Sequence, residues 1–146
     1  MAQPPRKSHP RTIVASLAID LPTLCPDLAN WPQRWSCVPA DLAPGRRIVD
    51  CLTPFLQHLL DQHLTLKSLQ RHRDHVWMLG GEVIRRRYED PALARIAVEK
   101  AVYAVLEEDG GPLIWPRITE QAQRSFDATC RKLYRFLTVM HSGGGK

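Results

Sequence analysis

The sequence predicts an all-α protein with four main helices behind a proline-rich, mostly irregular N-terminal segment. Three observations carry that prediction. Apolar residues recur at three- and four-residue steps over most of residues 46–140, the spacing that gives a helix one buried face. Helix start and stop residues bracket these stretches: Thr65 and Thr119 stand ahead of two of them, Asp90-Pro91 and Asp109-Gly110-Gly111-Pro112 behind two. No stretch shows the two-residue alternation of a half-buried strand.

Eight of the twelve prolines precede residue 45. Residues 1–12 are polar and basic through Arg6, Lys7 and Arg11, and are expected to be a disordered arm. Residues 13–45 hold short apolar pieces broken by Pro22, Pro26, Pro32, Pro39 and Pro44. A regular helix does not run through that spacing, because each interior proline removes a donor and clashes with the preceding turn. Leu21, Leu24, Leu28, Trp31, Trp35 and Leu42 are nevertheless too apolar for a free linker. The segment is expected to wrap over the helical body with one or both tryptophans anchored in a groove. The alternative makes Trp31 and Trp35 an exposed hot spot for a partner.

The helical domain is expected over residues 46–141. Its first helix runs from Arg46 to about Gln62, with Ile48, Leu52, Phe55, Leu56, Leu59 and Leu60 on one face. Pro54 is expected to start or kink it. Thr65 caps the second helix, whose stripe is Leu66, Leu69, Val76, Trp77, Val83, Ile84 and Tyr88. Gly80-Gly81 interrupts that stripe at about 1 kcal/mol per glycine relative to alanine, which implies a close helix–helix approach or a bend. Arg85, Arg86 and Arg87 suit the negative end of the helix dipole.

A third helix is expected over residues 97–108, with Val98, Ala101, Val102, Val105 and Leu106 inward. Residues 113–116 form an apolar loop expected to tuck against the body. Thr119 caps the fourth helix, striped by Ala122, Phe126, Cys130, Leu133, Leu137 and Met140. Residues 142–146 read as a flexible tail.

A chain of 146 residues is about one domain, and its formal charge of +5 with a pI near 9.3 favours a polyanionic partner. No apolar run reaches the roughly 18 residues of a membrane span. The apolar patch at residues 13–19 is short, ends at Asp20, and lacks a cleavage site after it; it is not expected to be a signal peptide, and the expected compartment is the cytoplasm. Cys25, Cys37, Cys51 and Cys130 form no close pair of the kind a zinc site uses. They read as small buried hydrophobes, and neither metal nor cofactor is expected.

The chemistry-bearing features are then few. The second helix carries Lys67, Arg71, Arg73, Arg85, Arg86 and Arg87 against Asp74 and Glu82. The fourth carries Arg124, Arg131, Lys132 and Arg135 against Glu120 and Asp127. Cations clustered on helical faces neutralise phosphates and release counterions. The competing reading is two ordinary solvated faces with pairs such as Asp127–Arg131. His72 and His75 have a metal-compatible spacing but no third ligand at motif distance, so they read, with His58 and His63, as surface or polar-face histidines. Glu107, Glu108 and Asp109 read as a solvated acidic turn at a helix end. No phosphate-binding glycine loop, GxSxG elbow or paired Cys–His motif occurs, so no catalytic residue is assigned.

Residues 55–86, FLQHLLDQHLTLKSLQRHRDHVWMLGGEVIRR, resemble the opening of the core-binding domain of tyrosine recombinases and phage integrases. The similarity lies in a short helix with a Phe and Leu pattern leading into the capped stretch Leu64-Thr65-Leu66-Lys67-Ser68-Leu69. A third helix follows, and the fourth ends in Lys132-Leu133-Tyr134-Arg135-Phe136-Leu137. The resemblance covers about residues 50–140. It implies a SAM-like four-helix bundle that clamps double-stranded DNA from one side. By position, the DNA-facing residues would be Lys67, Ser68, Arg71, Arg73, Arg124, Arg131, Lys132 and Arg135. The catalytic half of that family has no counterpart here: no HxxR motif and no assignable tyrosine nucleophile is present. The implied role is binding without cleavage, as a mobile-element accessory or a DNA-binding regulator. The competing class is a protein-interaction module or homodimer, motivated by residues 21–42 and 113–116.

Overall fold

The computed structural model describes the backbone of residues 19–144 and the side chains of residues 19–140. The expected arm at 1–12 and most of the apolar patch after it lie outside the described residues. Among the described residues there are seven α-helices: α1 (Leu21–Leu24), α2 (Trp31–Trp35), α3 (Leu42–Leu60), α4 (Leu66–Glu89), α5 (Pro91–Arg95), α6 (Val98–Ala104) and α7 (Glu120–Gly144). Short 3-10 turns, Leu28–Asn30 and Pro39–Asp41, link the first three. No strand occurs among these residues, only an isolated antiparallel bridge between Glu107 and Gly110. The all-α expectation holds.

Three long helices, α3, α4 and α7, supply most of the core. Helix α3 starts at Leu42, four residues earlier than expected, because Pro44 falls in its first turn, where a missing N–H costs nothing. It also continues through Pro54, correcting the expected start there. An interior proline costs about 3 kcal/mol. Against that stand Ile48, Leu52, Phe55, Leu56 and Leu59, each wholly removed from solvent and each contributing about 1.5–3 kcal/mol. Burial wins.

Thr65 caps α4 as expected, its hydroxyl accepting from Ser68 N at 3.1 Å. Thr119 caps α7 through Ala122 N at 3.0 Å. The third expected helix is shorter than its pattern: α6 stops at Ala104, and the chain turns so that Glu107 N donates to Gly110 O at 2.8 Å. The acidic residues Glu107, Glu108 and Asp109 therefore sit in that turn rather than on a helix end. At the other terminus α7 continues through Gly144, so much of the expected tail is helical; no proline is present to stop it.

The proline-rich segment does wrap, and its tryptophans decide how. Trp31 and Trp35 are 2% and 7% exposed, with ring centroids 5.8 Å apart. The Trp35 indole donates to Trp77 O at 3.0 Å and packs against Gly80-Gly81. A Cβ on Gly80 would fall within the indole, and one on Gly81 would lie 3.2 Å from Cδ1. The glycine pair thus marks a close approach between α2 and α4. This corrects the alternative reading of an exposed Trp31/Trp35 hot spot: both side chains are spent on the core.

The loop at 113–116 is only partly tucked. Ile114 is buried, while Leu113 is 61% and Trp115 45% exposed. The buried Gln123 holds the backbone, accepting from Ile114 N at 2.7 Å and Trp115 N at 2.9 Å and donating to Pro112 O at 3.1 Å. Of the cysteines, Cys25 and Cys130 are buried and Cys51 half-buried, but Cys37 is exposed, against expectation. Burial pushes the Cys25 and Cys51 thiols up to about 11 and Cys130 higher still, which keeps them protonated and poor metal ligands. No helix of the described residues is long and apolar enough to cross a membrane.

Candidate nucleic-acid interface

Helices α4 and α7 meet at a buried polar contact. Thr129 Oγ1 lies 2.7 Å from Nδ1 of His72 and 2.7 Å from Nδ1 of His75. A hydroxyl donates one hydrogen, so one imidazole receives it and the other donates its own Nδ1–H; the two rings hold opposite tautomers. His72 is 6% exposed, correcting the expected surface position, and His75 is half-buried and edge-on to Phe126. Burial, with the charges of Lys132 and Arg71 behind it, pushes His72 down to about 4. Burial and Arg71 lower His75 as well. Both rings are neutral at physiological pH.

Cations flank that contact. Arg71 on α4 and Lys132 on α7 act on the same His72 imidazole. One turn before Arg71 stands exposed Lys67, and one turn after Lys132 stands exposed Arg135. None of the four has a carboxylate within ion-pair distance among the described residues. Ser68 supports the start of this edge, its Oγ accepting from Arg71 Nη2 at 3.4 Å.

The other expected DNA contacts are placed differently. Arg73 pairs with Asp74 at 2.9 Å and donates to Leu24 O at 3.0 Å, fastening α1 to α4. Arg131 donates to Asp109 O at 3.1 Å. The anticipated Asp127–Arg131 pair does not form, because Asp127 accepts instead from Gly111 N and Gln123 Nε2. Arg124 is exposed near the start of α7, about two turns from Arg131. The seam is therefore Lys67, Ser68, Arg71, Lys132 and Arg135; Arg73 and Arg131 have structural work.

Beyond Lys132 the seam opens into a groove of about 420 Å³ between α3 and α7, lined among others by Phe55, His58, Gln62, Lys132, Arg135 and Phe136. His58 packs on Phe136 with centroids 4.8 Å apart, and its Nε2 is 3.1 Å from Gln62 Nε2. Sequence reasoning missed this groove and the Thr129 bridge. The i,i+3 pair His72/His75 was visible; its partner, 54 residues or more away, was not.

The fold and this edge define the chain as an all-α protein with a cationic two-helix seam. Comparison with protein-family models, curated proteins and solved structures finds no match.

Proposed function

We propose that this chain is a non-catalytic, double-stranded-DNA-binding protein whose α4–α7 seam approaches the phosphate backbone. One observation carries the reading: where Thr129 ties α7 to His72 and His75 of α4, Lys67, Arg71, Lys132 and Arg135 have no ion-pair partner among the described residues. Unpaired cations on adjacent helices match a row of phosphates, and their free charge is what counterion release requires. The resemblance of helix order and spacing to a recombinase core-binding domain supports a DNA-binding role for this helical domain. A mobile-element accessory or regulatory protein fits that role.

The test is a mobility-shift series on duplex DNA across salt concentrations. Each phosphate contact steepens the log–log slope by about 0.9. The double reversal Arg71→Glu with Lys132→Glu is expected to abolish the shift at physiological salt while the helical circular dichroism stays unchanged. A wild-type protein with no affinity at low salt overturns the reading. The second reading, a protein-interaction module or homodimer, draws on exposed Leu113 and Trp115, since the buried tryptophans no longer support it. A stable oligomer by light scattering that is lost in Trp115→Ser would favour it.

A further inference from the structure

The groove beside the seam differs from the seam in chemistry. Its ionisable lining groups are Lys132, Arg135 and His58, with no carboxylate among the lining residues. Its accessible ring surface is half-buried Phe136 with His58 beside it, centroids 4.8 Å apart, backed by the wholly buried Phe55 at 5.6 Å from Phe136. The His58–Gln62 edge adds hydrogen-bonding groups that can act as donor or acceptor. Exposed Val139, at 70% exposure, lines the mouth. A volume of about 420 Å³ lies within the range of small-ligand sites.

A paired, stacked base has no access to such a place, whereas an unpaired one does. We infer that the α3–α7 groove takes an unstacked nucleobase from a single-stranded DNA end or junction, with Lys132 and Arg135 on its flanking phosphates. Two cations beside a ring surface suit a nucleotide, whose phosphate is anionic and whose base stacks, better than an acidic peptide, whose carboxylates supply no ring. Aromatic stacking of this kind is tolerant of base identity. This inference rests on the DNA reading and adds a preference for unpaired ends to it.

Anisotropy titrations at low salt would compare a blunt duplex with the same duplex carrying a short oligothymidine overhang. The overhang is expected to bind about fivefold tighter or more. A fluorescent adenine analogue placed in the overhang is expected to be quenched on binding. Phe136→Leu, which keeps an apolar side chain, is expected to remove both the preference and the quenching while leaving blunt-duplex affinity unchanged. Should that variant prove misfolded by circular dichroism, Val139→Glu, at an exposed position, carries the test: its carboxylate at the mouth is expected to cancel the preference. Equal affinity for the two duplexes in the wild-type protein overturns the groove assignment and leaves the DNA reading standing. So does an equal weakening of both duplexes by folded Phe136→Leu. Absence of affinity for either duplex overturns both.

Discussion

Lys67 and Arg71 in the first half of α4, and Arg85 and Arg86 near its end, carry the same charge on one helix, yet the structure treats them oppositely. At the C-terminal end, Glu82 is 4% exposed and accepts from Arg85 at 3.1 Å, Arg86 at 2.7 Å and Arg117 at 3.0 Å. Arg85 also reaches Glu89 at 2.6 Å. Burial would raise the Glu82 carboxyl, but hydrogen bonds from the three guanidinium groups outweigh it and hold it below the usual carboxylate range. Arg86 Nη2 donates further to Leu113 O at 2.8 Å, so these arginines bolt the 113–116 loop to α4. At the other end no acid answers Lys67 or Arg71 among the described residues. Charge counting treats the two ends alike; the structure gives Arg85 and Arg86 carboxylate partners and leaves Lys67 and Arg71 without one among the described residues.

The comparison can be broken most severely at the joint between the wrapping segment and α4. Trp35→Ala empties the site over Gly80 and is expected to cost about 3–5 kcal/mol in urea unfolding. Gly80→Val overpacks the same site and is expected to cost at least about 1–3 kcal/mol. If either change left the unfolding midpoint unmoved, the close approach of α2 to α4 would be wrong.

Next in size is the partnered end. Glu82→Leu is expected to destabilise by about 1–3 kcal/mol, the arginines keeping some access to water. Lys67→Ala is expected to be neutral in stability within about 0.5 kcal/mol while weakening DNA binding at low salt. Equal stability effects at the two ends would erase the distinction drawn between them.

Acidification tests the imidazoles beneath the seam. His72 is depressed in the folded protein from about 6.5 to about 4, so the unfolded chain binds the proton first. The stability His72 contributes is fully present above pH 6.5 and is lost as pH falls toward about 4. Urea midpoints should decline over that window, and His72→Leu should flatten the decline. A slope unchanged by that substitution would place the titration elsewhere. A small gain in stability is expected at the turn entering α4. His63 has φ 58°, the left-handed region that side chains resist, so His63→Gly is expected to stabilise by about 0.4–1 kcal/mol. Thermal unfolding measures that directly.

Much of the fold was legible from residue patterns. The caps at Thr65 and Thr119, the stripe from Ile48 to Leu60 and the stop after Glu89 are local signals, and local hydrogen bonding and periodicity decided them. Where prediction failed, a distant contact outweighed a local preference. Pro54 was carried by the buried face around it, and α6 ended early where Glu107 found Gly110. The sequence offered eight candidate surface residues but not their arrangement: Arg73 and Arg131 turn out to hold Leu24 O and Asp109 O. Arg73 and Arg71 are neighbours of equal propensity, and nothing in the sequence says that Leu24 O claims the first and leaves the second.

The sequence by itself determined the helical class, the principal helix starts and a surplus of positive charge, because each follows from residues within a few turns of one another. Which cations remain free, why two glycines sit in α4, and how His72, His75 and Thr129 come together were decided only by the tertiary structure. Those outcomes depend on contacts between residues about 30 to 60 positions apart, such as Trp35 on Gly80, Arg117 on Glu82 and Thr129 on His72, and such pairings are set by how the helices pack rather than by what each helix contains.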